Sequence, residues 1–372
     1  MFDRRRVFVS AFFLLLSAGC GTDARGQTPP GGAAPGTPPG EVRIQGTDPT
    51  TPAPAGPATA APIDLRESMR KFVQSISTYA RSQKRDFAVV VEGGLEMLAK
   101  IDEADETKSY PARTYMRSID AVLVEALNFG DPQPGVATTP ERRAPKLTAV
   151  QLAKRNGLKV FAIDYTTGPA QTDQSYKTNA ALGLIPFAAP KPMAEIDALP
   201  THPKRPFAEN PNSAISLALV KNFVAIGDSS PFGRQDEFAL KVHDTNFDVV
   251  IVDVFHGRQP LSKQAVETLK YKKLGAKRLV LARVDIGSAA SYQYFWQPDW
   301  REKEPAFIGA PHPRNPDRHY VEFWREAWQQ IIAGDPSSYI YGVIAQGFDG
   351  AVLAGLDAVR YFETGGEDTQ PQ

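Results

Sequence analysis

From residue 64 to residue 362, short runs of apolar, β-branched residues alternate with longer amphipathic stretches. The runs of strand length are Phe87–Val91, Ile119–Val124, Lys159–Tyr165, Gly183–Phe187, Asn222–Ile226, Val249–Val254, Arg278–Val284 and Gly350–Leu353. Continuous apolar runs bounded by polar segments mark strands buried on both faces of a parallel sheet. The stretches between them carry helical spacing. Leu65–Gln83 lines up Met69, Phe72, Val73, Ile76 and Tyr79 on one face, and Thr148–Asn156, Gln235–His243, Lys263–Lys272 and Val321–Ile332 also read as helices. Strands and helices interleaved in this way over roughly 300 residues predict one α/β domain, a (β/α)8 TIM barrel. A doubly wound open sheet is the alternative, but no G-x-G-x-x-G follows any strand, so a dinucleotide fold would lack its phosphate-binding loop.

The segment before the barrel has a different character. Arg4, Arg5 and Arg6 precede an apolar stretch, Val7–Leu16, too short to span a bilayer. Leu16-Ser17-Ala18-Gly19-Cys20 then resembles a bacterial lipobox. The resemblance implies a signal peptide over 1–19, cleavage before Cys20 and lipidation of Cys20. The alternative is an ordinary signal peptide and a secreted product. Residues 20–62 are rich in Thr, Pro, Gly and Ala, which cannot bury enough surface to offset ordering entropy. They read as a disordered, extended tether. The barrel is expected over 63–364 and a polar tail over 365–372. Together these predict a lipid-anchored protein of the cell envelope.

Charge narrows the function. Lys+Arg and Asp+Glu both number 42, so no cationic surplus exists to neutralise nucleic-acid phosphates or a membrane surface. A single Cys rules out disulfides within the chain and Cys-rich zinc sites. The five His show no ligand spacing, and no phosphate loop, nucleophile elbow or HExxH helix occurs. No cofactor and no metal are therefore expected.

Several segments resemble a known family. Gly347-Phe348-Asp349-Gly350-Ala351-Val352-Leu353, with Leu356-Asp357-Ala358 and Tyr361-Phe362, resembles the "GFDGVYLD…DAY.YF" signature of glycoside hydrolase family 114-like TIM barrels, related to endo-α-1,4-polygalactosaminidases. Phe247–Asp253 is similar to "DLVVID", and Lys277–Ala282 with Ile286-Gly287 to "KRVLAYLSIGEAEDYR". Tyr320–Trp324 with Trp328-Gln329 is similar to "YWDPEWQ". Tyr79-Ala80-Arg81 with Asp86–Gly94 is similar to "YAR…DFLVIPQNG", Ile119–Glu125 to "IDGIGQEDLFYG" and Val160–Tyr165 to "VLVVDY". The segments occur in rotated order, as if the family's last four strands came first. The resemblance thus implies a circularly permuted barrel. Phe87–Val91 should pair with Gly350–Leu353, Gly183–Phe187 should lie beside Asn222–Ile226, and the chain ends should emerge near the C-terminal face.

Glycoside hydrolysis uses two carboxyl groups flanking the scissile bond. The resemblance places one at Glu125. The other falls on Ala354, which has no ionisable group. Acids expected near the strand C-termini are Glu92, Glu125, Asp164, Asp253 and Asp285, with Asp357 just beyond the last strand. In one reading Glu125 is the general acid and Glu92 or Asp357 its catalytic partner, with Asp253, Asp285, Asp164, Tyr292 and Trp296 binding a polysaccharide. In the other, hydrolysis is lost and the barrel binds a glycan or a protein. Asp349 and Asp120 are expected to be structural, at the opposite end of the barrel. Phe323, Trp324 and Trp328, at helical spacing, are expected in the core. The Pro-rich stretch Glu304–Pro316 reads as a surface loop over the mouth.

Overall fold

The computed structural model describes residues 63–366, apart from 103, 106 and 314. The expected signal peptide, Cys20, the tether and residues 367–372 of the expected tail lie outside the described residues. No helix among those described is long and apolar enough to cross a membrane.

The eight expected apolar runs form β1 (Ala88–Glu92), β2 (Ala121–Glu125), β3 (Lys159–Tyr165), β4 (Ile185–Ala189), β5 (Phe223–Ile226), β6 (Val249–Asp253), β7 (Leu279–Asp285) and β8 (Gly350–Ala354). All pair in parallel, in the order β4-β3-β2-β1-β8-β7-β6-β5. The first and last strands meet as expected, with Ala88 opposite Gly350 and Val91 opposite Leu353. This is a nearly closed (β/α)8 barrel.

Closure fails at one place. β4 and β5 lie beside each other, as expected of Gly183–Phe187 and Asn222–Ile226, but they share no hydrogen-bonded ladder. The seam is filled by side chains instead. Phe223 sits 5.0 Å from Phe161 and 5.4 Å from Phe187, ring centre to ring centre, inside the barrel. At its C-terminal end the seam is bridged by backbone: Gly227 and Asp228 N–H donate to the Ile196 carbonyl at 2.8 and 3.0 Å. The chain there runs so close that a Cβ on Gly227 would stand 2.2 Å from the Met193 carbonyl oxygen. Gly227→Ala is therefore expected to cost roughly 1–3 kcal/mol, readable as a lowered midpoint in urea denaturation.

The connection across the seam differs from the others. Residues 190–222 contain only single 3-10 turns and no α-helix. The outer layer is otherwise helical: α1 (Leu65–Gln83), α2 (Arg113–Ser118), α3 (Pro140–Arg155), α4 (Pro169–Ala181), α5 (Gln235–His243), α6 (Lys263–Leu269), α7 (Glu326–Ile332), α8 (Tyr339–Gln346) and α9 (Ala358–Glu363). α1 precedes the first strand and packs against α2, α8 and α9, so it covers the β8–β1 junction. Asp64 caps it, accepting the Glu67 N–H at 2.8 Å, and its apolar stripe of Met69, Phe72, Val73 and Ile76 is buried. Arg66 forms a two-pronged pair with Glu363 of α9, at 2.7 and 3.0 Å, so the two ends of the barrel's chain meet.

The N-terminal ends of the strands share one device. An Asp just before a strand accepts an N–H from its neighbour: Asp120 from Val89 at 2.8 Å, Asp349 from Val280 at 3.0 Å, and Asp248 from Lys221 at 2.8 Å. Asp120 and Asp349 are therefore structural, as expected. Phe323 and Trp328 are fully buried. The expected loop Glu304–Pro316 is different: Ile308–His312 and Asn315–Val321 form an antiparallel hairpin that also pairs with Ser288–Ala290 just after β7. Its prolines stand where a small edge sheet tolerates a missing N–H.

Candidate active site

Strand alternation decides which side chains reach the barrel interior. Phe161, Phe187 and Phe223 touch one another inside, which fixes the inward set on β3, β4 and β5. The register carries that set around the ring. Glu125 pairs with Ile163, Glu92 with Leu123, Arg283 with Val352 and Asp253, and Asp285 with Ala354. Glu92, Glu125, Tyr165, Asp253, Arg283, Asp285 and Ala354 thus all point inward at the strands' C-terminal ends, the face where (β/α)8 barrels carry their sites.

Two of these acids are ion-paired. Glu92 takes both Nε and Nη2 of Arg283 at 2.7 Å each. Asp285 Oδ2 takes Arg318 Nη1 at 2.8 Å, while its Oδ1 accepts from the N–H groups of Gly287 and Ser288 at 3.0 and 2.9 Å. Arg318 also donates to Ser288 Oγ at 2.8 Å and to the Tyr292 hydroxyl at 3.0 Å. Tyr292 therefore lies at the mouth through its hydroxyl, with its ring edge-on to Phe255 at 5.6 Å.

Three acids remain outside such pairs. The Tyr165 hydroxyl donates to Glu125 Oε2. Burial is the largest influence on Glu125 and, with the Glu92 charge next, pushes its carboxyl up to about 7 despite the Tyr165 bond and the Arg283 charge. Burial and the Glu125 charge push the Tyr165 phenol well up as well, so it stays a donor. Asp253 uses Oδ1 to accept the Phe255 N–H at 2.9 Å, and burial raises its carboxyl. Asp357 stands on the rim beyond β8. Crowding by protein atoms and then the Asp285 charge push it up to about 6. The residue nevertheless faces solvent, which tempers that shift.

The remaining expected site residues lie apart. Asp164 points outward from β3 into the helical layer. Its oxygens accept from Asn128 N–H at 2.9 Å, Ser175 Oγ at 2.7 Å and Asn179 Nδ2 at 2.8 Å, and it is fully buried. That is a strand-to-helix tie and not a lining of the mouth. Trp296 packs with Trp300 at 5.5 Å and His319 at 5.4 Å, in an aromatic lobe built on the segment after β7. Ser229 and His256 share a 2.9 Å hydrogen bond, but Ser229 is buried, and the bond ties together the loops after β5 and β6.

Sequence reasoning missed Arg283, Arg318 and Tyr165. Only Arg283 carried a signal, as a lone charge inside the apolar run Leu279–Val284. Among the described residues no group of His, Cys, Asp and Glu is arranged to hold a metal ion. A cavity of about 270 Å³ lies at the seam, lined among others by Thr172, Phe187, Ile196 and His202. Two of its lining polar groups bond each other, Thr166 and Thr172 at 2.8 Å, His202 is held by Asp173 outside it at 2.6 Å, and no acid of the mouth lines it. The titratable chemistry is at the mouth.

No known family profile matches the chain. It is similar to an uncharacterised protein of Thermotoga maritima, 26% identical over 135 residues, which are 36% of this chain and 40% of that protein. An uncharacterised protein of Methanocaldococcus jannaschii is 28% identical over 129 residues, 34% of this chain and 36% of its own length. An uncharacterised protein of Deinococcus radiodurans is 32% identical over 119 residues, 32% of this chain and 36% of its own length. The chain thus matches 36–40% of the length of these curated relatives.

Proposed function

We propose that this chain is a circularly permuted, glycoside hydrolase-like barrel acting on an exported or cell-surface polysaccharide, anchored through Cys20. One observation carries the reading: Glu125, an inward carboxyl at the C-terminal face, is held near 7 by burial and the Glu92 charge, within reach of Asp357, which forms no ion pair among the described residues. A carboxyl that keeps its proton near neutrality is suited to protonate a leaving glycosidic oxygen. Asp357 is the better partner of the two acids considered. Glu92 spends both oxygens on Arg283, whereas Asp357 forms no ion pair among the described residues and its charge reaches Glu125. Its exposure leaves room for a water or a sugar carbon. The permutation is supported by where the helices fall. A helix covers the β8–β1 junction before the chain enters its first strand, and the β4–β5 connection lacks one.

A second reading, a barrel that binds glycans without cleaving them, is favoured by Ala354 and by the two ion pairs that neutralise Glu92 and Asp285. Incubation with α-1,4-linked galactosamine polymer separates the two. Reducing ends are expected to accumulate with the intact protein. Binding of the polymer with no new reducing ends would establish the second reading, and neither binding nor cleavage would overturn both.

A further inference from the structure

The roles assigned so far belong to carboxyls, yet the centre of the mouth is a cation. Arg283 projects from β7 between Val352 of β8 and Asp253 of β6. Glu92 holds Nε and Nη2 at 2.7 Å each. Such a two-pronged contact fixes the plane of a guanidinium, and with it the direction of the third nitrogen. Nη1 makes no hydrogen bond among the described residues, and the side chain keeps 16% of its surface open. Neutralising Glu92 accounts for two of the three nitrogens and leaves Nη1 without a role. Across the ladder on β6, Asp253 spends Oδ1 on the Phe255 N–H and leaves Oδ2 without a hydrogen bond among the described residues. A fixed donor beside an open acceptor complements two neighbouring hydroxyls, each of which both donates and accepts.

We infer that Arg283 anchors the sugar ring in this mouth: clamped by Glu92, its Nη1 donates to one ring hydroxyl while Asp253 Oδ2 accepts from the next. The inference rests on the glycan reading of the same mouth. The electrostatics agree with so central a position, because the Arg283 charge draws down Glu125, Asp253 and Asp357 alike.

The test is calorimetric titration of the full chain with partially N-acetylated, α-1,4-linked galactosamine oligosaccharides. Arg283→Lys keeps the charge but cannot hold the fork, and Glu92→Gln with Arg283→Met removes the pair without leaving a lone buried charge. Both are expected to raise Kd roughly 10- to 100-fold, the effect of one lost hydrogen bond to a charged group. The thermal midpoint of Arg283→Lys should stay near that of the parent. Should the double variant fail to fold, Arg283→Lys alone decides. Unchanged affinity in a folded variant would overturn the anchor and leave the glycan reading standing. No binding by the parent protein would overturn both.

Discussion

Glu125→Gln is expected to lower the rate of polysaccharide cleavage roughly 10²- to 10⁴-fold, the usual worth of a positioned acid. Activity of the parent should fall as pH climbs past about 7, where Glu125 loses its proton. The same substitution makes a second expectation that does not depend on any substrate. The Glu125 carboxyl moves from an ordinary 4.5 to about 7 on folding. The native state therefore holds that proton more tightly than the unfolded chain. The stability linked to it is complete below about 4.5 and is lost as pH rises through 7. The full loss comes to at most about 3 kcal/mol, since each tenfold gain in proton affinity corresponds to about 1.4 kcal/mol. Glutamine has no proton to lose. The variant should match the parent near pH 4.5 and exceed it in stability at pH 8, in urea denaturation at the two pH values. Parent-like cleavage by Glu125→Gln would remove Glu125 from the mechanism. A parallel pH dependence in both proteins would show that its carboxyl is not held up.

Lys272→Met should be the most damaging single change far from the mouth. The ammonium is buried and its three donors are satisfied, by Asp248 Oδ1 at 2.6 Å and by the carbonyls of Asn210 and Asn212 at 2.8 and 2.7 Å. Asp248 is fully buried and also takes the Lys221 N–H. Removing the lysine strands a carboxylate in the interior and frees two carbonyls, at a cost of about 3–5 kcal/mol. That is a large share of a typical domain stability of about 5–15 kcal/mol. Pairing the change with Asp248→Asn should recover part of it, because the cost lies in the uncompensated charge and not in the lost attraction. Asn210 and Asn212 belong to the helix-free connection, so hydrogen exchange there should quicken in Lys272→Met. A loss below about 1 kcal/mol would show that the pair contributes little to that anchoring.

The barrel was legible because its strands are buried on both faces and read as unbroken apolar runs, as Val249–Asp253 and Lys159–Tyr165 do. α1 and α5 were legible to the residue from their stripes and boundaries. α4 was not, and Asp164 explains why. The inner face of α4 presents Ser175 and Asn179 to a buried carboxylate, so the helix has no apolar stripe to find. α3 was legible only from Thr148 onward because Pro145 resembles a stop. It stands as the sixth residue of α3, where it removes the intrahelical bond to Glu141, yet the helix runs through it. At the mouth, Glu125 was reached through family resemblance. The counterions of the other acids were hidden. Glu92 and Arg283 are 191 positions apart, and nothing in local spacing announces that they meet. Of the acids expected at the strand C-termini, Glu92 and Asp285 are the two that the structure pairs with arginines.

The open ladder between β4 and β5 divides the sheet into two four-stranded halves that share a single line of hydrogen bonds, β1 to β8. Those partners come from opposite ends of the domain. During synthesis the first half can assemble while the second is still being made, but it must wait with one flank of β1 unpaired until Gly350–Ala354 has left the ribosome. Chains truncated before Gly350 would keep that flank, a row of unsatisfied N–H and C=O groups beside apolar side chains, and are expected to associate with one another instead of maturing.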